Sequence, residues 1–118
     1  MMSGWYLERF EARKGDEVVA KLEVGPEQHK LAKALYPKEN EDPLDKLIED
    51  LLRVPEDKPG EVPTDVLQNR LFDLRMGMAV GTPKYAKEIA SRWRDFVNAN
   101  AQKGYNVSAV VGYEKDTL

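Results

Sequence analysis

Few residues in this chain can do chemistry. There is one histidine, His29, and no cysteine. An imidazole titrates near neutral pH and can act as a general base, but only beside the group it deprotonates. No serine, threonine or acid is spaced to make a local signature with His29, and a lone histidine on a polar helical turn reads more simply as a surface residue. No catalytic residue is assigned. The missing cysteines exclude disulfides, thiol catalysis and thiolate metal sites, and a single histidine excludes a multi-histidine site. Glu39, Glu41, Asp42 and Asp45 form an oxygen-rich cluster of the kind a hard cation takes. It lacks the central glycine and closing glutamate of a calcium loop, and Pro43 starts a helix where that loop would continue. No metal and no cofactor are expected. The glycines of 77–81 are not followed by the Lys-Ser/Thr of a phosphate loop and read as helix termination.

The acids matter more as a surface. Residues 36–65 hold ten acids and four bases, while 1–35 balance and 66–118 carry a net +3, within an overall charge of −3. Glu39, Glu41, Asp42, Asp45, Glu49 and Asp50 span a loop and the polar side of one helix. Helical spacing sets Asp42, Asp45 and Glu49 near one another, with Asp50 close by. Such a surface attracts a basic partner and raises its association rate. The plainer alternatives are a solvated helix face, or pairing with bases elsewhere in the same fold. Trp5 is a second candidate contact, because tryptophan is enriched at binding hot spots, though it can equally cap a core. Lys84, Lys87, Arg92 and Arg94 on one helix, with Tyr105 and Tyr113 on a strand, outline a nucleic-acid surface. Against it stand Glu88 and Asp95 on the same helix, the net negative charge, and the sharing of a face by both tyrosines with Val107, Ala109 and Val111, which reads as core.

The elements that position these residues follow from hydrophobic period and punctuation. Residues 4–13 read as a strand with bulk on both faces: Tyr6, Phe10 and Ala12 on one, Trp5 and Leu7 on the other. A turn at Lys14-Gly15-Asp16 leads to a cleaner strand over 17–24, with Val18, Ala20, Leu22 and Val24 pointing one way. A helix over 26–36 buries Leu31 and Leu35 and stops at Pro37. Asp42-Pro43 opens the next, whose Leu44, Leu47, Ile48, Leu51 and Leu52 make an amphipathic stripe ending at Val54-Pro55. A loop follows over 56–63. Thr64 or Asp65 caps a third helix bearing Leu67, Leu71, Leu74 and Met78, which ends near Gly81. Thr82-Pro83 opens a fourth, to about Lys103, with Tyr85, Ile89, Trp93, Phe96 and Val97 on its apolar side. A closing strand spans 105–114, and the last four residues should fray.

The order ββααααβ predicts an α+β fold: a small antiparallel β-sheet, made of the N-terminal hairpin and the C-terminal strand, with about four helices packed on one face. The 118 residues are expected to form a single domain, 1–118. No apolar run approaches the roughly 20 residues that span a bilayer, and the N-terminal residues lack the basic and apolar regions of a signal peptide. A cytoplasmic setting, bacterial or phage, is expected. With no catalytic inventory, the sequence points to a non-enzymatic protein that binds a protein partner with a basic surface. Size and charge match the genre of small inhibitors, such as toxin-immunity proteins or phage-encoded inhibitors of bacterial defence, with the acidic 39–50 segment covering a basic site. One alternative is a subunit or adaptor using an apolar helical patch around Phe72, Met76, Trp93 and Phe96, as a homodimer in one form. Another is a small nucleotide- or RNA-binding protein or enzyme using His29.

Overall fold

In a computed structural model of the chain, the structure describes residues 4–34, 43–52, 62–77 and 81–114. The elements are β1 (Gly4–Lys14), β2 (Glu17–Glu23), α1 (Gly25–Ala34), α2 (Pro43–Leu52), α3 (Thr64–Met76), α4 (Lys84–Gln102) and β3 (Asn106–Glu114). The strands form an antiparallel sheet in the order β2-β1-β3, with the helices on one side. The architecture is the α+β fold that the hydrophobic periods predict. Those periods leave open which edge the last strand takes. It takes the free side of β1, so β1 becomes the central strand.

The sheet departs from simple alternation at two places. Leu7, Phe10 and Ala12 are all buried beneath the helices, although Leu7 and Phe10 are three positions apart. A register shift against β3 between Leu7 and Arg9 resolves this. Glu8 is the extra residue of a β-bulge, and the bulge turns the strand so that both large side chains reach the core. This corrects the expected split that set Leu7 and Phe10 on opposite faces. A second shift, against β2 between Ala12 and Arg13, puts Val18 across from Arg13 on the outer face, away from Ala20 and Leu22. Gly15, at φ 63°, supplies the left-handed turn that joins β1 to β2.

Helix faces follow the apolar spacing with instructive exceptions. On α2, Leu44, Leu47, Ile48 and Leu51 are buried as their spacing requires, while Leu52, at the margin of the stripe, is exposed. On α1 the inward residues are His29 and Ala32; Leu31 is half-buried and Leu35 lies outside the described residues. Leu67, Leu71 and Leu74 anchor α3. Neither Thr64 nor Asp65 caps that helix, because Pro63 holds the N-cap position. The Thr64 hydroxyl instead accepts the Val107 amide of β3 at 3.3 Å, so its side chain links two elements. The buried stripe of α4 is Ala86, Ala90, Trp93, Val97 and Asn100, a regular 3.6-residue progression. Tyr85 sits one position off that stripe and is exposed, contrary to expectation. Trp93 meets Phe10 with ring centroids 6.0 Å apart, joining helix layer to sheet. The expectations for Met78, the 38–42 loop, most of the 56–63 loop and the last four residues lie outside the described residues.

Candidate functional site

The residue pair that most resembles a contact surface sits where the sheet outruns its helical cover. Trp5 and Tyr113 are direct partners across β1 and β3. Alternation puts them on the helix-facing side, one step beyond Leu7 and Val111. Leu7 is fully covered, but Trp5 and Tyr113 are 46% and 56% exposed. Their rings meet edge to face, with centroids 5.2 Å apart and planes at 71°, a favoured aromatic geometry that holds both side chains in place. Tyr113 is therefore not a core residue, as its apolar neighbours in sequence suggested. The face it shares with them continues past the last helix.

α1 borders this end of the sheet, and its placement starts from His29. β2 ends at Glu23, opposite Arg9, so the Leu7 amide has no β2 partner. His29 fills the gap: Nδ1 accepts the Leu7 N–H at 3.2 Å. The imidazole is 3% exposed, which corrects its expected surface position. An acceptor nitrogen must carry no proton. Burial, reinforced by Lys33 and opposed by Asp45, brings the His29 pKa down from 6.5 to about 4. The ring is thus a neutral structural acceptor at pH 7. The next residue of α1, Lys30, pairs with Glu114 of β3 at 3.3 Å, beside Tyr113.

The acidic residues proposed as a binding surface fall into three groups. Glu39, Glu41 and Asp42 lie outside the described residues. Asp45 is exposed but pairs with Lys33, fastening the start of α2 to α1. Asp50 accepts from Arg70 Nε at 3.3 Å, fastening α2 to α3. Glu49 is exposed on the same helix. Part of the middle segment's charge thus serves as ties between helices, each worth no more than about 1 kcal/mol at such exposure. Asp45 is thereby tied to the helix whose His29 holds the Leu7 amide, a link no sequence spacing indicates.

The other surfaces are less suited to a ligand. Arg94 lies over the Phe72 ring at 5.2 Å, and Lys84 reaches Glu88 at 4.0 Å, so the bases of α4 are divided rather than gathered. On the outer sheet face Glu11 is buried between Arg9 and Arg13, at 3.2 and 3.6 Å from their Nη2 atoms. The signal for this row was present as Arg-x-Glu-x-Arg, a period-two charge pattern that one strand face must gather. Among the described residues no group of three His, Cys, Asp or Glu is placed to hold a metal ion, and no helix is long and apolar enough to cross a membrane. No family model matches the chain, and no curated protein or solved structure is similar enough to count as a match.

Proposed function

We propose that this chain acts by binding another protein, with Trp5 and Tyr113 as the anchor and the acidic 39–50 segment as a second contact suited to a basic surface. The partner reading is that of an inhibitor or immunity-type protein. The observation that carries it is the aromatic pair itself: two large rings, about half exposed, already locked against each other where the helix layer stops. Rings held before contact lose little conformational freedom on binding, and tryptophan and tyrosine dominate hot spots. Asp45 and Asp50 are engaged within the fold.

Affinity capture from the native host, followed by titration with the purified partner, tests this. Trp5→Ala should weaken the complex by about thirtyfold, the hot-spot scale of roughly 2 kcal/mol. Glu39→Lys with Glu41→Lys should slow association most at low salt. Wild-type affinity in the Trp5→Ala chain would refute the assignment. A second reading, the adaptor or self-associating subunit, is favoured by Phe72 and Met76, which stand 46% and 69% exposed one turn apart on α3. Trp93 does not contribute to that patch, being wholly buried.

A further inference from the structure

We infer that α1 is an acid-released latch: protonation of His29 undocks this helix from β1 while the rest of the helix layer stays folded on the sheet. The geometry supplies both the trigger and the locality. His29 Nδ1 can accept the Leu7 amide only while unprotonated, and a charged imidazole would sit buried facing a donor. Among the described residues, α1 is also tied by Lys30 to Glu114 and by Lys33 to Asp45. Each of the three ends on an acceptor: an imidazole nitrogen in one and a carboxylate oxygen in the other two.

Among the described residues the apolar hold on α1 is slight. Ala32 is its one fully buried apolar residue among those described, whereas α2 buries four large side chains and α3 three. Elements with few buried apolar contacts open at lower free energy than the core. The charges that act on His29 are Lys33 on its own helix and Asp45 on α2; β1 presents the Leu7 amide, and α4, which also packs against α1, adds none.

The sign is set by where the proton binds. The docked ring holds a proton only below about 4, and the released ring takes one near 6.5. Above 6.5 the ring is neutral either way. As pH falls from 6.5 toward 4, the docked-to-released ratio drops about tenfold per pH unit, and this group adds nothing below that. Release would free the border of the Trp5–Tyr113 surface, so the protein would let go of its partner in acid. Only that consequence rests on the proposed function; the latch itself is tested on the isolated chain.

Amide hydrogen exchange followed residue by residue between pH 7 and pH 4, corrected for intrinsic rates, decides it. Leu7 and the α1 amides should lose protection across this window, while the amides around Trp93 and Val97 in α4 keep theirs. His29→Asn keeps a side-chain acceptor without a titrating ring and should move the α1 midpoint down by at least one pH unit. Simultaneous loss of protection in α1 and α4 overturns the latch, as does an unchanged midpoint in His29→Asn. If His29→Asn does not fold, the wild-type exchange pattern alone decides between local release and global unfolding.

Discussion

At the scale of single residues, two buried polar groups show opposite solutions to the same problem. His29 meets a backbone amide that a strand would otherwise have satisfied, and gains its place by staying neutral. The same shift acts on the whole fold. Between pH 6.5 and about 4 the unfolded chain takes up a proton that the folded ring refuses, so stability falls with pH by about 3 kcal/mol in total. Trp93 is the converse case. Its ring is fully buried against Phe10, yet its Nε1 has no hydrogen-bond partner among the described residues. A buried donor left unpaired costs about 1–3 kcal/mol. Trp93→Phe removes that donor along with some volume and should destabilise by only about 1–2 kcal/mol, against about 3–5 kcal/mol for Trp93→Ala. Urea denaturation of the two variants measures the difference, and equal losses would show that the orphan donor carries no penalty.

At the scale of elements, the sheet depends on details that alternate patterning does not show. The Glu8 bulge lets Leu7 and Phe10 share a face. On the other face Tyr6 lies across from Gly112, and its ring would stand 2.7 Å from a Cβ placed there. Glycine is needed at 112 for this close approach, and the aromatic ring covers the backbone that the missing side chain leaves bare. Gly112→Ala should push the ring aside and cost about 1 kcal/mol or less, since the atoms met are the far end of a side chain that can swing outward. In a Tyr6→Ala background the same change should cost nothing further. A double-mutant cycle reads this directly, and additive losses would contradict it. The helices divide similarly. The α2 stripe was legible at Leu44, Leu47, Ile48 and Leu51, which follow one period, but not at its margin, where Leu52 is exposed. Tyr85 and Thr64 were not, because the choice between neighbouring positions on α4, and between a cap and a strand amide, belongs to the partner element.

At the scale of the molecule, charge segregation along the chain is partly resolved by folding. The acidic middle meets the basic C-terminal half through Asp50 and Arg70, and meets α1 through Asp45 and Lys33. Among the described residues, large exposed apolar side chains pair up at the Trp5–Tyr113 end and on the Phe72–Met76 face of α3, while Val19, Leu52 and Tyr85 are exposed elsewhere. Light scattering separates their roles. If the α3 face joins two copies, the mass rises above 13.4 kDa with concentration and Met76→Lys restores the single chain. A wild-type mass of one chain throughout removes self-association through that face.

The sequence by itself determined the type and order of the elements. The hairpin turn at Gly15, the proline boundaries and the stripe of α2 are set by residues within a few positions of one another, and local sterics and periodicity suffice to read them. Only the tertiary structure decided which residues face solvent at the ends of those elements and what the polar ones touch. Tyr113 alternates with core valines yet emerges past the helices, His29 looks like a surface residue yet holds a strand amide, and Asp45 looks like a binding acid yet ties α2 to α1. Each outcome depends on a partner more than ten residues away, and the free energy of such a contact exists only once the chain has brought the two together.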